Sequence, residues 1–147
     1  MATYFEDFTP GDESTTPGRT ITEADIVNFA SLTGDWYELH TNVEFASKTR
    51  FGQRIAHGAL IFSISTALNV RVMPAGNTLI AFYGVDKLRF VKPTFIGDTV
   101  HCVNKILEKT EKDASCGVVA SLCDVTNQRG EVVVSYTSRA LWQRRPA

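Results

Sequence analysis

The chain has 147 residues, enough for one domain with a substantial core. Apolar residues make up 44%, charged residues 21%, and the net charge is −1, which fits an ordinary globular domain and excludes the basic excess of a nucleic-acid binder. No run reaches the ~20 apolar residues that cross a bilayer, and the start lacks the basic-then-apolar order of a signal peptide. The expectation is a cytoplasmic protein with neither nucleic acid nor membrane as partner.

Residues 1–21 read as an arm broken by Pro10-Gly11 and Pro17-Gly18 turns. A helix then starts after Thr22, with Asp25 placed to complete a capping box. Ile26, Val27, Phe29, Ala30 and Leu32 form its apolar side, and Gly34 stands where a left-handed helix stop is expected. Residues 35–40 form the irregular exit, residues 43–49 allow a short helix, and Phe51-Gly52-Gln53-Arg54 is a loop.

From His57 to Val72 there is no acid and a single cation, Arg71. A helix apolar nearly all round is buried on most sides. Pro74 and Gly76 end it. Strand signals follow over 79–91, 99–108, 117–126 and 131–141, separated by short turns, and predict an antiparallel meander. The terminal Arg144-Arg145 reads as a solvated tail. The expected fold is α+β: residues 1–147 form a single domain in which an antiparallel sheet wraps around a long central helix, the hot-dog arrangement. Such a sheet leaves exposed edges and one thinly covered side of the helix, and a homodimer or higher homo-oligomer would cover both.

Cys102, Cys116 and Cys123 are odd in number and lack CxxC spacing, which argues against a disulfide framework or a zinc site. They read as small buried hydrophobes. Neither a metal nor an organic cofactor is expected.

Gly34-Asp35-Trp36-Tyr37-Glu38-Leu39-His40 places a carboxylate and an imidazole five residues apart just after a helix. Five helical residues would turn them about 500° apart, so they meet only if the chain is irregular. Together they can hold a water and move its proton. Gly-Asp also occurs at Gly11-Asp12 and Gly97-Asp98, so Asp35 is either a turn aspartate like those or a functional one.

His57-Gly58 opens the buried helix, whose first-turn amides lack intrahelical partners and can polarise a carbonyl oxygen. His57 either packs and caps there or joins Gly58 in binding. Among the helix hydroxyls Ser63, Ser65 and Thr66, each either bonds back to the preceding turn or contacts substrate. His101 alternates with Val100 and Cys102 and reads as structural. Lys48, Arg50, Arg54, Lys87, Arg89 and Lys92 flank the apolar elements and either stay solvated or receive phosphates.

The runs GDWYELHTNVEFA, FGQRIAHGAL and LRFVKPTFIGDTV, in that order, resemble the MaoC-like family of R-specific enoyl-CoA hydratases, from about Thr20 to Leu141. Residues 19–29 and 83–90 look most like the hydratase domain of the bifunctional ring-opening enzyme of phenylacetate degradation. The family pattern Gly-Asp-x-Asn-Pro-Leu-His is kept at Gly34, Asp35, Leu39 and His40, with Tyr37 and Glu38 in place of Asn and Pro.

The resemblance implies Asp35 and His40 as catalytic residues and the Gly58 amide as oxyanion donor. It adds His57, Tyr37, Ser63, Tyr83 and Gly84 as substrate-binding candidates. It further implies an acyl-CoA substrate, a place in fatty acid metabolism, and reversible syn hydration to an (R)-3-hydroxyacyl-CoA. Three alternatives stand beside it: hydration or hydrolysis of an oxepin-type ring-enoyl-CoA, a hot-dog acyl-CoA thioesterase, and a non-catalytic acyl-CoA-binding subunit. Many thioesterases of this fold carry a carboxylate on the central helix, and residues 57–72 have none.

Overall fold

The computed structural model describes residues 2–74 and 76–146. Thr22 caps α1 (Glu23–Thr33) as its position requires: its hydroxyl accepts from the Asp25 amide at 3.2 Å, and the Asp25 carboxylate accepts from the Thr22 amide at 2.9 Å. The helix stops at Gly34 with φ 81°, a left-handed conformation that costs glycine little. Only Asp35–Tyr37 are then irregular. Glu38–Thr41 form a one-turn helix, α2, so the expected irregular exit is only half as long as read. Four residues are too few for periodicity to declare itself. Asn42 caps α3 (Val43–Ser47) through the Phe45 amide at 3.1 Å.

The central helix α4 spans Gly58–Val70, with His57 as its N-cap. Ile61, Ile64 and Leu68 pack into the main core with Val100, Cys102, Cys123, Val125, Val134 and Tyr136 of the sheet and Ile21 and Ile26 of the first helix region. Ser65 and Tyr136 share a buried hydroxyl–hydroxyl hydrogen bond of 2.9 Å. Ala59, Ser63, Ala67 and Val70 form an exposed stripe at i, i+4, i+8 and i+11, the thinly covered side expected of this helix. The sheet curls around one side only.

The N-terminal arm is more ordered than its turns suggest. After a 3₁₀ turn at Phe5–Asp7, β1 (Glu13–Thr15) and β2 (Arg19–Thr20) pair antiparallel with β4 (Thr99–Glu111). The remaining strands are β3 (Leu79–Phe90), β5 (Cys116–Asn127) and β6 (Val132–Gln143), all antiparallel, in the order β1-β4-β5-β6-β3. The meander therefore holds for β4–β5–β6 alone. β3 lies against β6, because the eight-residue link 91–98 is too long for a tight hairpin and carries the chain across. This makes β3 an edge strand, with Ile80, Phe82, Tyr83 and Phe90 exposed.

All three cysteines are buried and unpaired. The C-terminal arginines are not a free tail: Arg144 pairs with Glu6 at 3.1 Å and Glu111 at 3.0 Å, and Arg145 with Asp7 at 2.6 Å. Sequence spacing could not show acids 33 and 138 positions away. Among the described residues no helix is long and apolar enough to cross a membrane.

Candidate active site

The α1 exit, the link before α4 and the start of α4 converge. Asp35, His40 and His57 each offer a donor atom, and the three atoms lie within 4.8 Å of one another. The left-handed Gly34 turns the chain back, and the Asp35 carboxylate accepts from the Tyr37 amide at 3.3 Å, an Asx turn that hands the chain to α2. Asp35 is exposed, and α2 carries half-buried His40 back toward it.

His40 Nδ1 is 2.8 Å from the Ile55 carbonyl oxygen. A carbonyl only accepts, so Nδ1 bears the proton and Nε2 is left as a bare acceptor. Burial pushes the His40 pKa down, partly offset by the Ile55 hydrogen bond; His57 lowers it further and Asp35 raises it, and the net shift is downward. The imidazole is thus held neutral, with one nitrogen oriented and the other available.

His57 is 2% exposed. Its ring stacks on His40 with centroids 3.9 Å apart and planes at 28°, and its other side meets Phe29 at 4.9 Å. Nε2 lies 3.0 Å from the Asp35 carbonyl oxygen. The three donor atoms are close enough to converge on one cation, and in each ring the nitrogen that serves a backbone carbonyl leaves the other nitrogen free of such a bond.

Beside His40 opens a cavity of about 430 Å³, with Gly58, Ala59, Phe51, Phe90 and Thr94 on its walls and Arg50 and Lys92 at its lining. Gly58, the first residue of α4, has a free first-turn amide by position. A Cβ there would meet the Phe90 ring at 2.7 Å, so glycine is required by close packing as well as by access.

Among the residues expected from sequence, Asp35, His40, His57 and Gly58 come together, and Tyr37 sets its ring edge-on to His40 with centroids 6.0 Å apart. His57 does not line the cavity; it lies behind His40, because its ring turns toward Phe29 and the Asp35 backbone. Ser63 lies on the exposed stripe of α4 and donates to the Ala59 carbonyl at 2.8 Å. Tyr83 and Gly84 lie six or more residues up β3 from Phe90, outside this cavity, where Lys112 stands 4.6 Å over the Tyr83 ring.

Two participants escaped the sequence reading. The Ile55 carbonyl fixes the His40 tautomer, and Phe90 walls Gly58. Backbone acceptors leave no trace in side-chain identity. Phe90 is separated from Gly58 by thirty-two positions.

Residues 7–127 match the family described as MaoC like domain. The chain is 44% identical over 109 residues to protein MaoC of Klebsiella aerogenes, which covers 74% of this chain and 32% of that protein. It is 42% identical over 98 residues to an (R)-specific enoyl-CoA hydratase of Rhodospirillum rubrum, covering 66% of this chain and 65% of that one. The chain thus spans about a third of the first relative and just under two thirds of the second. Among solved structures, a monoamine oxidase regulatory protein from Archaeoglobus fulgidus superposes with a TM-score of 0.93 at 41% identity, over 99% of this chain and 97% of that one.

Proposed function

The chain belongs to the MaoC-like domain family, and we propose that it catalyses the reversible syn addition of water to a trans-2-enoyl-CoA thioester, giving an (R)-3-hydroxyacyl-CoA. The observation that carries this reading is an Asp35 carboxylate oxygen within 4.8 Å of a ring nitrogen of His40, next to a cavity lined by His40 and by Gly58 at the start of a buried helix. The hydratase similarity of the Rhodospirillum relative supports it.

The thioester oxygen accepts from Gly58 N–H, drawing electrons from the β-carbon. Asp35 and His40 Nε2 grip one water. As the water oxygen bonds to the β-carbon, its proton passes to His40 Nε2, and negative charge collects on the thioester oxygen. His40 then returns that proton to the α-carbon on the same face, so atoms and charge balance. The sequence leaves the division of roles between Asp35 and His40 open. A resting Nδ1–H tautomer makes His40 take a proton before it can give one, which favours His40 as the carrier and Asp35 as the group that holds the water.

No metal or organic cofactor is needed by this chemistry. Arg50 at the cavity lining would receive a coenzyme A phosphate, and Lys92, which also lines it, would have to exchange its 2.7 Å pairing with Glu131 to do the same. A homodimer fits the bare α4 stripe, the exposed β3 edge, and Trp36 and Tyr37, which are more than half exposed around the dyad.

The test is hydration of crotonyl-CoA, followed by loss of conjugated-enoyl absorbance with chiral analysis of the product. An R product that disappears in Asp35→Asn and His40→Ala is expected. Release of free thiol without hydration would replace the reading with a thioesterase, and tight CoA binding without turnover would replace it with a binding subunit.

A further inference from the structure

His57 is the most deeply buried charged-type side chain at the site, yet it has no place in the chemistry above. Its contacts are unusual for a helix N-cap. It makes no side-chain cap bond to α4. It reaches across instead to the Asp35 carbonyl, twenty-two positions earlier, at 3.0 Å. That acceptor fixes the proton on Nε2. Nδ1 is then a bare lone pair, and it is buried without a hydrogen-bond partner. One face of the ring carries His40 and the other side rests on Phe29 of α1.

Asp35 lies in the only irregular stretch between α1 and α2, with its side chain exposed and one 3.3 Å bond from the Tyr37 amide to its carboxylate. The His57 bond therefore ties that stretch to the buried end of α4, which also carries Gly58. We propose that His57 is a positioning residue: without touching substrate, it pins the Asp35 backbone to the start of α4 and sets the ring plane of His40. Carboxylate, imidazole and oxyanion amide are thereby held on one rigid post. The two histidines work as opposite tautomers, His57 protonated on Nε2 and His40 on Nδ1, each tethered to a backbone carbonyl.

This inference rests on the hydratase reading, and its test separates the two. In ¹⁵N-labelled protein at pH 7.5, the histidine ring nitrogens are expected to show His57 as the Nε2–H tautomer and His40 as the Nδ1–H tautomer. That measurement needs no turnover. An Nδ1–H or doubly protonated His57 overturns the proposal even if the enzyme hydrates enoyl-CoA. A wild type that hydrates nothing overturns the functional reading alone.

In turnover, His57→Phe keeps the ring but loses the donor, and kcat is expected to fall about 10²-fold, the cost of misplacing a reacting group by about 1 Å. KM should change by much less. His57→Gln, whose amide nitrogen can reach the Nε2 position, should recover most of the loss. Wild-type kcat in His57→Phe, or a loss that Gln does not recover, overturns the proposal. Unfolding midpoints of both variants identify any loss that comes from misfolding, and the tautomer measurement on the wild type then decides.

Discussion

Gly34-Asp35 and Gly97-Asp98 are the same dipeptide in the same backbone state, with glycine φ of 81° and 93°, and the two aspartates have opposite fates. Asp98 is 4% exposed, and its carboxylate accepts from the Phe95 amide at 2.9 Å, from Gln128 at 2.8 Å and from Arg129 at 2.9 and 3.3 Å. Burial would raise its pKa, but the Arg129 guanidinium and the two neutral donors hold it below the usual carboxylate range. Asp35 is exposed and receives one 3.3 Å bond from a backbone amide. A carboxylate whose acceptor sites are occupied builds the fold. One whose sites are left open beside a tethered imidazole can work on a water. Local sequence does not distinguish them; the partners from the β5–β6 turn do.

The comparison is broken most severely at Asp35. Asp35→Asn should lower kcat by about 10²-fold, the cost of misplacing the water that the carboxylate holds, while the unfolding midpoint stays close to wild type. A large drop in midpoint would make Asp35 another structural turn. Asp98→Ala should do the reverse. It takes the acceptor away from the Phe95 amide and from Gln128, and leaving such partners unsatisfied costs about 1–3 kcal/mol. Denaturant titration should show that loss, with kcat per folded molecule little changed.

Gly58→Ala comes next, with a loss of about 10–10²-fold in kcat, since the added methyl meets the Phe90 ring and crowds the oxyanion amide. An unchanged rate would remove Gly58 from the mechanism. The smallest effect is in pH. His40 must be neutral to take a proton, and its pKa is held down, so activity persists below the ordinary histidine value of 6.5 and falls only as pH drops through the lowered value. The acid limb of kcat/KM should have its midpoint below 6.5; one above it would mean that the Asp35 charge outweighs burial. Stability carries the same sign at Asp98. Its contribution is full above the carboxylate's unfolded pKa and is lost as pH falls through the depressed folded value.

Much of this was legible in the chain because the signals are local. Thr22 with Asp25, Gly34 after the apolar periodicity, and the acid-free run behind Gly58 each mark a feature through neighbours within a few positions. The pairing of β3 with β6, the ion pairs of Arg144 and Arg145, the Ile55 tether on His40 and the stacking of His57 are nonlocal. Each joins residues fifteen or more positions apart, and three of them involve either backbone groups or faces that sequence does not mark. The four-residue α2 is missed for a third reason: it is shorter than two turns and so has no period to detect.

The pairing of Arg144 and Arg145 with Glu6 and Asp7 brings the two described ends of the polypeptide to the same corner of the sheet. The order in which the strands occur along the chain is therefore separable from the order in which they lie in space. A circularly permuted version, with the old ends joined by a short flexible linker and the chain reopened at the exposed Lys112–Ser115 turn between β4 and β5, should fold to the same hydrogen-exchange protection pattern in the core. The break would lie at the end of the β5–β6 ladder opposite the one that reaches the cavity beside His40, so the permuted molecule would test whether the Asp35–His40 corner assembles independently of strand order along the chain.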